Sequence, residues 1–213
     1  MGIIQSFVSS VRMEYALEIM GRNSFSIADV RKAFGIDPSE PQLTTLSNVP
    51  YTENTLKECK DTHVLVAVFP FSIVNMRELV LRETADMVFS PKFWYKSEPF
   101  ALSLGETIWQ LIRKAPVPQS YLKTLDEHEN IFMSKDDIMP KARVLVYTIV
   151  GFYLAKGERM FENVYARCSD RDSFGVRLAV SGIGTDGIKV TNEFGNRRHR
   201  DLCLVPVRKH DSH

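Results

Sequence analysis

Residues 140–157 read PKARVLVYTIVGFYLAKG, and this stretch decides the fold because it is the longest apolar run in the chain. Its apolar side chains surround most of a helix of about four turns, a pattern typical of a helix that is buried on nearly all sides. Asp136 and Asp137 place carboxylates before a helix start, Pro140 suits a first helical turn, and Gly157 suits a left-handed cap. The stretch therefore predicts a central buried helix.

Further elements are predicted on both sides of this helix. Residues 11–20 and 27–34 show helical spacing, with Ser26 as an N-cap, and residues 63–69 read HVLVAVF, typical of a strand buried on both faces. After the central helix, apolar residues recur with period two in four short segments, at residues 164–168, 176–180, 188–191 and 202–207. These patterns predict an α+β fold with an N-terminal helical part, a central buried helix and a small C-terminal antiparallel sheet.

The domain organisation has two alternatives. The 213 residues fit one large domain, which would bury roughly 70% of the surface of the unfolded chain. They also fit a mainly helical part with one buried strand at residues 1–88, followed by an α+β domain at residues 89–213. Residues 37–51 contain three prolines and predict an irregular connection with one short helical turn.

Composition and charge restrict the classes of partner. The formal net charge is +1, so no global field attracts nucleic acid or an anionic membrane, and nucleic-acid binding is disfavoured. No apolar run reaches the ~18 residues that span a bilayer. The cysteines, Cys59, Cys168 and Cys203, are odd in number and widely spaced, which indicates free thiols in a reducing compartment. We expect a cytoplasmic protein with no membrane partner.

Catalytic and metal motifs give little support to an enzyme. The chain has no GxSxG elbow, and the glycine-rich residues 181–187, SGIGTDG, lack the Lys-Ser/Thr of a phosphate loop. Residues 126–129, DEHE, lack metal-ligand spacing and predict a solvated charged turn. We therefore expect no metal and no cofactor, and we lean against an enzyme.

The candidate binding residues lie in two polar turns of the C-terminal part, at residues 182–187 and 192–201. Arginine forks bind phosphate and carboxylate groups in bidentate fashion, and polar loops on a small sheet are common recognition sites. The residues assigned to binding are Asp186, Asn192, Glu193, Asn196, Arg197, Arg198, His199 and Arg200.

Aromatic residues form a second feature, in the middle of the chain. Trp94 and Tyr95 belong to a dense aromatic cluster between two prolines, and Trp109 follows in a separate apolar segment. We predict that these rings fill a corner of the core. The alternative is that they stack on a ligand.

Three groups of segments carry a resemblance to other proteins: WQLIRKAPVP at 109–118, VYTIVGFYLAKGERMFENVYARCSD at 146–170, and the tail GVRLAV, DGIKV and LVPVRK. With these segments the chain resembles a group of uncharacterised bacterial proteins, which implies a bacterial source. The closing order of strand, polar loop and strand is similar to the end of C-type-lectin-like domains. That similarity implies a lectin-like fold with a ligand-binding surface on these loops, although the disulfides of the animal lectins are missing here.

The leading hypothesis is a non-enzymatic recognition protein that binds an unknown protein or a small anionic ligand through its polar C-terminal loops. One alternative is a DNA-binding regulator, in which residues 26–35, with Arg31 and Lys32, form the second helix of a helix-turn-helix. Another alternative is an enzyme whose site is assembled only in space, around Trp94 and Trp109.

Overall fold

The structure, a computed structural model, describes residues 10–83, 88–193 and 197–211, and for residues 81–83 it describes only the backbone. The first strands are β1 (Val11–Arg12), β2 (Ser24–Phe25), β3 (Asn48–Val49) and β4 (His63–Val68). The helices among them are α1 (Met13–Met20), α2 (Ile27–Phe34), α3 (Glu40–Leu46), α4 (Glu53–Cys59) and α5 (Ile73–Glu83).

The second half of the chain contains more strand than helix. Its helices are α6 (Pro99–Leu102), α7 (Leu125–Glu127), which continues into a π-helical turn at His128–Phe132, and α8 (Ala142–Lys156). Its strands are β5 (Ile108–Arg113), β6 (Asp137–Ile138), β7 (Tyr165–Arg171), β8 (Arg177–Ser181), β9 (Val190–Glu193), β10 (Leu202–Cys203) and β11 (Val207–Arg208). These elements confirm the predicted α+β class.

Helix α8 is the predicted central buried helix. Every side chain from Ala142 to Phe152 is buried. The helix contacts β4 on one side and β7 and β8 on another, and the Tyr147 hydroxyl donates a hydrogen bond of 3.0 Å to the Ala67 carbonyl of β4. Neither α8 nor any other helix in the described part of the chain is long and apolar enough to cross a bilayer.

The start of α8 differs from the prediction. The helix begins at Ala142, and Asp170 of β7 accepts the Ala142 N–H at 2.6 Å, so the carboxylate at this positive end comes from the strand that follows the helix. Asp137 instead lies in β6, with its Oδ1 3.5 Å from Nε of Arg208. The predicted end is confirmed, because Gly157 caps the helix in the left-handed conformation, with φ of 70°.

One sheet has five strands in the order β2-β4-β5-β11-β6, and it takes strands from both sides of residue 88. Strand β2 is parallel to β4, and the other neighbours are antiparallel. All six residues of β4 are buried, as the apolar run predicted. A sheet shared across residue 88 favours the single-domain alternative.

The other large sheet has four strands in the order β10-β7-β8-β9. Strands β7, β8 and β9 are antiparallel, as predicted, but β10 is parallel to β7. The segment predicted as one strand at 202–207 splits, and its end continues as β11 in the five-stranded sheet. Pro206 stands between the two pieces and has no N–H for a ladder, which suits this break.

The N-terminal helices pack on the core. Ser26 forms the predicted N-cap of α2, and its side chain and that of Asp29 make a reciprocal capping box. Strand β2 lies between α1 and α2 and joins the five-stranded sheet, so the two helices are not joined by the short turn of a helix-turn-helix. Residues 37–51 contain more helix than predicted, because Ser39 and Gln42 form a second capping box that starts α3.

Candidate functional site

The candidate site lies on the face of the four-stranded sheet that points away from α8. Arg167, Ala179 and Thr191 are register partners across β7, β8 and β9. The next row, Ala166, Val180 and Val190, belongs to the hydrophobic core. Since side chains alternate along a strand, the row with Arg167 lies on the opposite face of the sheet from this core row.

A first cleft, of about 400 Å³, lies on this outer face, and we call it the arginine cleft. Its sheet residues are Tyr165, Ala179 and Thr191, together with Leu202 of β10. The remaining lining comes from the end of β9 and the loop that follows, through Asn192, Glu193, Arg197, His199 and Asp201. Four of the eight residues assigned to binding from the sequence, namely Asn192, Glu193, Arg197 and His199, therefore line one cleft.

A second cleft, of about 490 Å³, adjoins the first, and we call it the tryptophan cleft. It is lined by Trp94 and Lys92 from one segment and by Asp186 and Lys189 from the β8–β9 connection. Tyr165 and Thr191 line both clefts. The two clefts therefore meet at these two hydroxyl-bearing side chains and form one groove.

Beside the arginine cleft, Arg167 and Glu193 form a buried ion pair, with 3.0 Å between Nη2 and Oε1. Nη2 of Arg167 also donates hydrogen bonds of 3.1 Å to the carbonyl oxygens of Lys123 and Arg197. A buried guanidinium stays protonated, so it neutralises the carboxylate beside it. Arg167 thus ties the segment near residue 123 and the loop near residue 197 to the sheet.

Burial shifts both members of this pair. It raises the pKa of Glu193, against the opposing effects of Arg167 and then Arg177, and it lowers the pKa of Arg167. Arg177 is the register partner of Glu193 and lies 3.3 Å from Glu129. The carboxylate of Glu193 therefore faces two guanidinium groups, which compensate its charge.

Residues 126–129 do not form the predicted solvated turn at His128. This side chain is buried, and its Nε2 lies 2.6 Å from the carbonyl oxygen of Ser120. Burial lowers the pKa of His128, although the bond to Ser120 opposes that shift. The prediction was wrong because the π-helical turn directs the ring inward, a geometry that a charged sequence pattern does not signal.

The arginines of the loop at residues 197–201 make different contacts. Arg198 Nη1 is held by the Leu122 carbonyl oxygen at 3.0 Å and by Glu127 at 2.9 Å. Arg200 is 85% exposed, with its Nε 3.7 Å from Asp201. His199 lines the cleft, and its Nδ1 accepts the Asp201 N–H at 3.3 Å. Asn196 lies outside the described residues.

The three aromatic residues predicted from the sequence differ in burial. Tyr95 is buried, and Trp109 is buried in β5, where its Nε1 donates to the Leu46 carbonyl oxygen at 2.9 Å. Trp94 is 43% exposed and lines the tryptophan cleft, while its Nε1 donates to the Val190 carbonyl oxygen at 2.8 Å. Core filling therefore describes Tyr95 and Trp109 but not Trp94.

Several residues that line the groove were not predicted from the sequence. Lys92 and Trp94 reach β9 from a segment far away in sequence, which no local pattern reveals. Tyr165 and Thr191 alternate with core residues, and this period-two pattern was the available signal that their side chains face outward. In the described part of the chain, no group of three or more His, Cys, Asp or Glu side chains is arranged to hold a metal ion.

The chain matches no protein-family model, no curated protein and no solved structure.

Proposed function

We propose that this protein is a recognition protein that binds a small anionic ligand in the arginine cleft. The observation that carries the proposal is the convergence of Asn192, Arg197 and His199, with the neutralised Glu193, on one cleft of about 400 Å³. This volume lies in the range of small-molecule sites. Side chains on a sheet and an adjoining loop that is tied to that sheet provide a preorganised site.

The charge distribution supports an anion. The Glu193 carboxylate is compensated by Arg167, and the Asp201 carboxylate lies 3.7 Å from Nε of Arg200 and 3.8 Å from Nδ1 of His199. Arg197 and His199 supply the guanidinium and imidazole groups of the lining. Guanidinium groups bind phosphate and carboxylate oxygens with charge-assisted hydrogen bonds.

The alternative as a DNA-binding regulator receives no comparable support. The cations of α2 are engaged, because Arg31 pairs with Asp37 at 3.1 Å and Lys32 donates to the Ala155 carbonyl oxygen at 2.5 Å. Helix α2 also packs its apolar side against α8. The lectin-like likeness of the tail stays a prediction, and the proposal rests on the cleft alone.

The test is calorimetric titration with inorganic phosphate at low ionic strength. We expect Arg197→Ala to weaken phosphate binding roughly tenfold or more, since a hydrogen bond to a charged group contributes about 1.5–3 kcal/mol. Arg22→Ala is the matched control, because it removes the same charge from an exposed position outside the groove, and it should change the affinity less than twofold. Equal losses in the two variants would show that only general charge attracts the anion and would reject the proposal.

A further inference from the structure

The tryptophan cleft extends the proposed anion site into a groove with three chemically different regions. At one end the Trp94 ring is 43% exposed, and the opposite end carries Arg197 and His199. Between them, Tyr165 and Thr191 line both clefts and each carries a hydroxyl group. The groove therefore presents an aromatic ring, then hydroxyl groups, then cationic and imidazole groups.

The Trp94 ring is fixed before any ligand binds. Its Nε1 is held by the Val190 carbonyl oxygen at 2.8 Å, and Tyr95 packs edge-on against it with ring centroids 5.6 Å apart. Phe100 lies 6.1 Å from the same ring. A ring that is held on one side and exposed on the other offers a stacking surface at little cost in conformational entropy.

The charges of the groove favour a ligand with few negative charges. Lys189 pairs with Asp186 at 2.8 Å, so this lysine is already compensated. The charged lining comprises three cationic side chains, Lys92, Lys189 and Arg197, and three carboxylates, Asp186, Glu193 and Asp201, so it has no excess of positive charge to attract a chain of phosphates. A long nucleic-acid strand or a triphosphate is therefore disfavoured relative to a monophosphate.

We propose that the groove binds a mononucleotide. The base stacks on Trp94, the ribose lies against Tyr165 and Thr191, and the phosphate lies at Arg197 and His199. This assignment rests on the proposed function, because the phosphate occupies the anion site of the arginine cleft. Beyond the anion site, the assignment specifies where the base and the ribose bind and how the ligand is oriented in the groove.

The test compares AMP with its two parts, ribose 5-phosphate and adenosine, by calorimetry. Stacking of a base on an aromatic side chain contributes enough that AMP should bind about fivefold to a hundredfold more tightly than ribose 5-phosphate. Trp94→Leu should lower the AMP affinity to that of ribose 5-phosphate and leave the latter unchanged. Phe174→Leu is the control, because Phe174 is 89% exposed outside the groove.

Fluorescence gives a second measurement that does not depend on a variant folding. AMP should quench the emission of Trp94, whereas Trp109 is buried in β5 and should contribute a constant signal. Quenching by AMP but not by ribose 5-phosphate would support the assignment. The same titrations with Arg197→Ala should show weaker binding of both phosphates.

The failures can be told apart. If ribose 5-phosphate binds as tightly as AMP, the inference about the base is overturned while the anion site stands. If adenosine binds as tightly as AMP, the phosphate contributes nothing, and both the mononucleotide assignment and the anion site are rejected. If benzoate, an aromatic acid without a hydroxylated spacer, binds more tightly than AMP, the mononucleotide is replaced by that class of ligand.

Discussion

His63 is a buried imidazole at the first position of β4, beside cationic side chains. Its Nδ1 lies 2.8 Å from the Thr62 hydroxyl, and its register partner across the sheet is Arg113. Burial lowers the pKa of His63 from 6.5 to about 4, and Arg113 and Arg208 add to this shift. The folded protein therefore keeps this ring neutral at pH values where the unfolded chain would protonate it.

The sign of the resulting pH dependence follows from this difference. Between pH 6.5 and 4 the unfolded chain binds a proton at His63 that the folded protein does not bind, so acidification favours unfolding. We predict that, between pH 6.5 and pH 4, the free energy of unfolding of the unsubstituted protein falls by about 3 kcal/mol more than that of His63→Asn. Urea unfolding of both proteins at several pH values measures this difference. Parallel pH profiles would mean that His63 does not titrate with a depressed pKa.

The arginines of the 197–201 loop show what sequence composition reveals at the scale of residues. The polar run predicted a binding loop, and Arg197 and His199 of this loop line the cleft. The sequence does not show that Arg197 lines the cleft while its neighbours do not. The guanidinium of Arg198 is held by Glu127, and Arg200 is exposed. That difference depends on which side of an irregular backbone each side chain leaves, and on partners that are distant in sequence.

Gly151 is a point of close approach in α8. A Cβ atom at this position would lie 2.6 Å from Cζ of Phe25. The Phe25 ring has little room to move, because Phe34, Tyr147 and Phe152 surround it with ring centroids 5.6 to 6.3 Å away. Glycine is therefore required by packing in the middle of the helix, despite its low helix propensity.

We predict that Gly151→Ala destabilises the protein by about 1–3 kcal/mol, although alanine is the better helix former. Thermal and urea unfolding measure the loss. Phe25→Leu in the Gly151→Ala background should recover part of it, because the shorter side chain frees the space that the new methyl group needs. A stabilised Gly151→Ala protein would contradict the close packing, and strictly additive effects of the two substitutions would contradict their contact.

Helices and strands were predictable to the extent that their signals are local. Helix α2 was predicted with its cap because Ser26 and Asp29 lie within one turn of each other. The start of α8 was missed by two residues because its capping carboxylate, Asp170, comes from β7. The split of residues 202–207 between two sheets was also missed, since pairing partners are chosen by tertiary contacts and not by the alternation of apolar residues.

At the scale of the whole molecule, the two parts of the chain depend on one another. Strands β4 and β5, from opposite sides of residue 88, pair along their full length from His63↔Arg113 to Val68↔Ile108. Helix α8 packs against α2 on one side and against β8 on another. Residues 1–88 and 89–213 therefore cover apolar surfaces of each other.

We therefore predict that separate fragments 1–88 and 89–213 do not fold, while the whole chain unfolds in a single cooperative transition. Near-ultraviolet circular dichroism and calorimetry of the two fragments and of the whole chain provide the measurement. Mixing the two fragments is the control, because a near-ultraviolet signal like that of the whole chain would show that both fragments can still fold together. A fragment that unfolds cooperatively on its own would establish the two-domain alternative.

The five-stranded sheet also has a consequence for biosynthesis. Its strand β11 pairs with both β5 and β6, yet every other described strand precedes β11 in the sequence. On the ribosome, β5 and β6 therefore emerge with unpaired edges, and the gap between them stays open until residues 207–208 follow. Unpaired edges are sites of aggregation. We expect the nascent chain to need chaperone protection until that late strand closes the sheet.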